Sequence, residues 1–349
     1  MALHSPPNPA GGRWSGMSSP TDARAPIERL PVELIHKIFF LSLEFNFPRA
    51  SAHIAAALSN EVIYTWLIRV AFSSANPSSS SGVLVHPFLP AHYFSLDANQ
   101  KTELQTEILR CQWCTASLMR KCQREYVEHI IRQKCSDLII SPQDRARLDN
   151  LDPYWETMDR YSNATHGKRG KGDLIVSARH PDTGEHLKVA IWFNFGSVQI
   201  RERSPVFHET DLFRLPCCST THPCRMPDHL LRSPWTEEKL ELLSLLSNEA
   251  YIDEDGKFER SKGILRQLVI DRDFETFRRL LELHIRVKIY LYPLRWPVRS
   301  NIFRVAARCA QPENIHNDPF LRLLFTEHRG EIPQTDHSIW KLVEKFDKS

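Results

Sequence analysis

The sequence predicts a mainly helical protein with a small antiparallel sheet inserted near its middle. Three observations carry that expectation. Residues 28–51, ERLPVELIHKIFFLSLEFNFPRAS, place apolar side chains at helical spacing on more than one side. Residues 99–134 keep a helical apolar period over a long stretch, with Leu104, Ile108, Cys111, Leu118, Cys122, Tyr126 and Ile130 at steps of three, four or seven. Residues 172–207 then change to the two-residue period of strands.

Taken in order, residues 1–25 are rich in Pro, Gly and Ser, are expected to be disordered, and lack the apolar stretch of a secretory signal. Residues 26–72 read as three short helices. In the first, Leu34, Ile38, Leu41 and Phe45 form one stripe, and Val32, Ile35, Phe39 and Leu43 form a second, roughly 100–180° away. Glu33, Lys37 and Glu44 leave only a narrow charged side, with Glu33 and Lys37 spaced as an i,i+4 pair. A helix that closes one core carries a single apolar stripe. Either this helix is central to a large core, or one stripe belongs to another protein.

Pro31 suits the first helical turn, where its missing N–H is no loss. Pro48 breaks the pattern, Ser51 can cap a short Ala-rich helix, and Ser59-Asn60 can end it. The third helix puts Ile63, Trp66, Leu67, Val70 and Ala71 on one face. The Ser-rich SSANPSSSSG, residues 73–82, reads as a flexible connection, with residues 76–82 as the linker proper and 26–75 as an N-terminal module.

Residues 83–236 form the expected middle region. Its long helix leads to three strands, DLIVSAR, HLKVAIWF and SVQIRER, with HPDTGE supplying the turn residues between the first two. Residues 208–235, punctuated by Pro and Cys, read as irregular. From residue 237 onward helices return. ILRQLVIDRDFETFRRLLEL (264–283) and IFRVAARCAQPENIHNDPFLRLLFTEH (302–328) each give an apolar helix, a polar break and a second helix closing on Leu-Leu.

Composition sets bounds on function. With 42% hydrophobic and 25% charged residues in 349, the chain has the make-up of an ordinary soluble protein. A net charge of +3 is too small to imply a nucleic-acid or membrane partner by itself, and no apolar run approaches the ~18 residues of a membrane span. Eight cysteines without a secretory signal imply reduced thiols, in cytosol or nucleus.

The chemistry-bearing clusters are sparse. Cys111-x-x-Cys114 with Cys122 and His129 has zinc-ligand residue types, but sits in a helical period without Gly or Pro to make a knuckle. Cys217, Cys218, His222 and Cys224 lie in a looser segment, without a second CxxC at matching spacing. Both sets are read as structural thiols, and neither a metal nor a cofactor is expected. Residues 260–308 hold twelve Lys or Arg against four Asp or Glu, interleaved with Phe274, Phe277, Tyr290, Tyr292, Trp296 and Phe303. Stacking plus phosphate contacts would use those types, but the arginines are scattered over several helical faces and the aromatics suit a core. Nucleic acid is therefore not the expected partner. His166-Gly-Lys-Arg-Gly-Lys-Gly172 lacks the P-loop pattern and precedes a strand; Asp253-Glu-Asp255-Gly256 lacks the distal Glu of a calcium loop and reads as a turn. With no GxSxG, no HExxH and no Cys/His pair in a catalytic context, the chain is read as a non-enzyme.

The motif Leu30-Pro31-Val32-Glu33-Leu34-Ile35, continued by Ile38 and Phe39, resembles the start of an F-box: LPxE, an apolar pair, and an Ile three or four residues on. The continuation through residue 72, and the LRCQWCT helix after it, resemble the F-box-like N-terminal region of many filamentous-fungal proteins. The usual Val-Cys-(Lys/Arg)-x-Trp stretch is replaced by Ala55-Ala56-Ala57-Leu58 and a later tryptophan. The two C-terminal helix pairs, from residue 237 on, resemble degenerate ankyrin repeats without the TPLHxA turn. The resemblance implies a three-helix module that docks on the Skp adaptor of a cullin–RING ubiquitin ligase through Leu30, Pro31, Leu34, Ile35, Ile38 and Phe39. The remainder would then capture a protein substrate. The competing class is a non-catalytic scaffold or nucleic-acid-binding protein that uses the basic C-terminal helices.

Overall fold

The computed structural model describes residues 25–72, 96–156, 173–193, 197–202, 218, 222–290 and 292–348. The expected N-terminal tail, the linker at 76–82, the basic loop 166–172 and Cys217 lie outside the described residues. Thirteen α-helices and two small sheets make up the described fold. Packing divides the chain at Asn60 into two units.

The first unit holds a 3-10 turn at Pro26–Arg29, α1 (Val32–Ser42), a second 3-10 turn at Phe47–Ala50, and α2 (Ala52–Leu58). α1 ends earlier than Pro48 requires. Leu43 adopts φ 50° and ψ 33°, and its N–H closes on Phe39 O at 2.7 Å, a left-handed C-cap made without glycine. Ser51 caps α2 as its sequence implies, its hydroxyl accepting from Ile54 N–H at 3.2 Å.

The second unit begins with α3 (Glu61–Phe72), so this helix groups with the downstream ones, whereas its sequence reads as the third member of the N-terminal module. It packs on α4 (Ala98–Arg110) and α5 (Ala116–Cys135). The long middle helix expected over 99–134 is therefore two helices. Cys111 and Thr115 take extended backbone angles; Cys111 N–H ends α4 on Ile108 O, and the Thr115 hydroxyl accepts from Leu118 N–H at 3.2 Å to start α5. Trp113, inside the break, stacks on Tyr64 of α3 at 4.3 Å between ring centroids, and the stack favours the bent chain over a continuous helix. Polar contacts tie α3 to both neighbours: its buried Arg69 guanidinium meets Glu125 of α5, and buried Gln105 of α4 donates to Ala71 O at 2.6 Å.

The three expected strands form as β2 (Leu174–Arg179), β3 (His186–Trp192) and β4 (Ser197–Glu202), with β1 (Ile139–Ile140) added on the outside of β2. All pairings are antiparallel, with Val176 opposite Val189 and Val189 opposite Ile200. Leu174, Val176 and Ala178 alternate inward, the period-2 signature of a half-buried strand. Gly184 closes the β2–β3 turn at φ 69°, a conformation open to glycine at no steric cost. Short helices α6 (Pro142–Asp149) and α7 (Asp152–Glu156) precede β2, and α7 places Tyr154 flat and Trp155 edge-on against buried Phe193.

The C-terminal part runs α8 (Glu237–Leu246), β5 (Tyr251–Ile252), α9 (Glu259–Ile270), α10 (Phe274–Glu282), β6 (His284–Val287), β7 (Leu294–Arg295), α11 (Ser300–Cys309), α12 (Pro319–Glu327) and α13 (His337–Lys348). The two expected helix pairs are α9–α10 and α11–α12. They stack like on like: α9 lies on α11, and Phe274 and Phe277 of α10 meet Phe320 of α12 edge-on at 5.2 and 5.1 Å. A small sheet ordered β5-β6-β7 is absent from the sequence reading; β5 precedes the first pair, and β6 and β7 lie between the two pairs. Trp296, just after it, is buried and donates Nε1–H to Ser261 O at 3.1 Å, which is how a tryptophan N–H is satisfied inside a core.

Candidate partner-binding face

Leu30 and Pro31 are extended, and Pro31 is the N-cap of α1 rather than its first helical residue. Its carbonyl accepts from Leu34 N–H at 3.0 Å and Ile35 N–H at 3.2 Å. Its fixed φ sets where the helix begins, and its missing N–H leaves no orphan donor.

From that start the 3.6-residue turn separates the two stripes. Ile35 and Phe39 are 0% and 3% exposed. Phe39 meets Phe40 at 5.8 Å and Phe45 at 6.0 Å. His36 Nε2 lies 2.8 Å from Ala57 O on α2; a carbonyl only accepts, so the proton sits on Nε2 and ties the two helices. Ile54 and Leu58 of α2 are buried. Leu34, Ile38 and Leu41 are instead 44%, 37% and 62% exposed. At 100° per residue these three fall within about 60° of one another, one continuous strip of the helix surface. Val32, in the first turn and on the stripe of Ile35 and Phe39, is also exposed.

Of the residues expected at the adaptor, Leu34, Ile38 and Pro31 are exposed and Leu30 is half-buried. Ile35 and Phe39 are buried instead, because the turn of α1 that presents Leu34 outward carries positions 35 and 39 to another side of the helix. Leu41 belongs to the exposed strip, and the signal for it was its place in the Leu34–Ile38 stripe. Exposed Glu33, Lys37 and Glu44 border the strip. An apolar strip with a charged border on a helix suits the face of another helix or an apolar groove. It carries no nucleophile or acid–base pair.

Among the described residues, which leave out Cys217, no group of three or more His, Cys, Asp or Glu is placed to hold a metal ion. Cys111 and Cys114 lie in the α4–α5 break. Burial first, then the neighbouring thiols Cys111 and Cys122, push the Cys114 thiol up to about 12, and burial pushes Cys122 to about 11. In the basic stretch, Phe277, Trp296 and Phe303 fill the core, while Arg278 pairs with Glu275 and Glu282, Arg279 with Glu237, and Arg304 with Asp336. Glu254 of the Asp253–Gly256 turn binds the Ser261 N–H and hydroxyl. Among the described residues no helix is long and apolar enough to cross a membrane.

No known family model matches the chain, and no curated protein or solved structure matches it.

Proposed function

We propose that the chain is a substrate-recruiting subunit of a cullin–RING ubiquitin ligase, in which α1 docks on the Skp adaptor and the C-terminal, ankyrin-like helix pairs face a protein substrate. The supporting observation is the second apolar strip of α1, Leu34–Ile38–Leu41, exposed on a helix that opens with Leu30-Pro31 and already buries Ile35 and Phe39. A helix that needed only its own core would not expose three large apolar residues in line. The ligase contribution is non-catalytic: the chain positions a substrate and supplies no reacting group.

The test is co-expression of the full chain with a Skp adaptor. Wild type is expected to co-purify with it, and Leu34→Asp/Ile38→Asp is expected to stay folded and lose it. A wild-type chain that binds no Skp adaptor, or a folded double variant that binds as well as wild type, overturns the reading.

A further inference from the structure

Away from α1, one pair of thiols is in direct contact. Cys218 Sγ and Cys224 Sγ lie 3.2 Å apart, and both side chains are buried. Backbone bonds hold each in place. The Cys218 N–H donates to Glu249 Oε2 at 3.1 Å. Cys224 O accepts from Tyr251 N–H at 2.9 Å, and Met226 N–H donates to Tyr251 O at 2.8 Å, so Cys224 is fastened to β5. Tyr251 is in turn paired with Arg286 on β6, whose guanidinium is buried and acts on both thiols. Its charge favours a thiolate at Cys224, against the hydrogen bond to Cys218 and the burial that push this thiol well above its usual range.

We infer that Cys218 and Cys224 are an oxidative modification site, forming a reversible intramolecular disulfide by exchange with a low-molecular-weight disulfide of the glutathione type. The sulfurs need to close by only about 1 Å to reach bonding distance. In the first step the Cys218 thiolate attacks one sulfur of the external disulfide, forming a mixed disulfide and releasing one external thiolate. In the second, the Cys224 thiolate attacks the Cys218 sulfur and releases the other. The two protons given up by the cysteines end on the two released thiols, so one external disulfide is reduced as the protein pair is oxidised. Cys218 is the entry point because it retains a little exposure, whereas Cys224 has none. Burial sets the rate: the external disulfide reaches Cys218 through local opening, so exchange is slower than at half-exposed Cys111. The bond would tie the backbone at Cys218 covalently to the strand position that β5 holds.

The test uses the full chain, reduced, freed of reductant and incubated with oxidised glutathione, then denatured, alkylated and digested with trypsin. The tryptic peptide from Leu215 to Arg225 contains Cys217, Cys218 and Cys224. It is expected to carry one alkyl group in place of three, on Cys217, with two hydrogens lost and full recovery after dithiothreitol. Cys224→Ser is expected to trap glutathione on Cys218. Three alkyl groups after prolonged exposure to the oxidant, or a Cys217–Cys224 bond, overturns the inference. If Cys224→Ser does not fold, the wild-type peptide alone decides between these outcomes.

Discussion

Arg272 Nη2 and Asp318 Oδ2 meet at 2.5 Å, joining the turn between α9 and α10 to the start of α12. The carboxylate is buried, caps α12 by accepting from Phe320 and Leu321 N–H, and binds a guanidinium that also lies 4.8 Å over the Phe320 ring. One residue from each helix pair therefore fixes how the pairs stack. Arg272 reaches this position from φ 60°, a left-handed conformation disfavoured for a side chain with Cβ.

The strain and the ion pair can be separated at position 272. Arg272→Ala removes the guanidinium and keeps the strain, whereas Arg272→Gly removes both. Arg272→Gly is expected to be the more stable of the two by about 1 kcal/mol in urea unfolding. Asp318→Ala loses a cap and strands buried donors, and should destabilise by about 2 kcal/mol. Equal stability of the two position-272 variants would refute the strain argument.

The two faces of α1 give opposite expectations for the same change. Ile35→Asp buries an unpaired carboxylate and should cost several kcal/mol, visible as lost helicity or insolubility. Leu34→Asp and Ile38→Asp place the charge in water and should shift the melting temperature by only a few degrees. Circular dichroism melts of the three single variants decide it; similar melting points for Ile35→Asp and Leu34→Asp would mean the faces are misassigned.

Thr115 starts α5 by its hydroxyl, so Thr115→Ala should lower stability by about 1 kcal/mol, and Thr115→Ser should restore most of it. Denaturant midpoints at unchanged slope are the measurement. No loss on Thr115→Ala would argue for a helix that runs through the break.

The raised thiols make an alkaline expectation. An unfolded thiol ionises near 9, while Cys114 and Cys122 hold their protons in the fold to about 12 and 11. Their contribution is complete below the unfolded value and is lost as pH rises through the folded ones, since above pH 9 the unfolded chain binds fewer protons. Stability should therefore fall from about pH 9 upward, less steeply in Cys114→Ala. At pH 8, iodoacetamide should modify half-exposed Cys111 and Cys309 well before Cys114 and Cys122. Early labelling of Cys114 would contradict its burial.

Much of the architecture could be read from periodicity alone. β2, β3 and β4 were legible because strand alternation and the HPDTGE turn agree. α9 to α12 were legible because each pair shows an apolar period, a polar break and a second helix closing on Leu-Leu; the breaks hold the caps Asp273 and Asp318. The α4–α5 break was not, because Ile108, Cys111 and Leu118 keep helical spacing across it; only the Thr115 cap signalled a new helix. β5 to β7 are two to four residues long and make sense only as a sheet once the helix pairs bring them together. On α1 the sequence showed two apolar stripes of similar strength, and nothing local said which turned inward. Packing of Ile35 and Phe39 decides that, and so converts a motif into a specific exposed strip.

β1 is two residues long and is the edge of its sheet beside β2. An edge strand is a template for further strands, and the risk grows with the length of its unpaired ladder. Here exposed Ile139 supplies apolar attraction, but the ladder beside it offers too few peptide groups to seat another chain in register. β1 covers only Ala178 and Arg179 of β2, so its brevity limits the template that β1 itself offers and leaves the rest of β2 without it. Lengthening β1 toward Ser141 would enlarge that template only at the expense of the N-cap of α6, so the helix start also limits the strand.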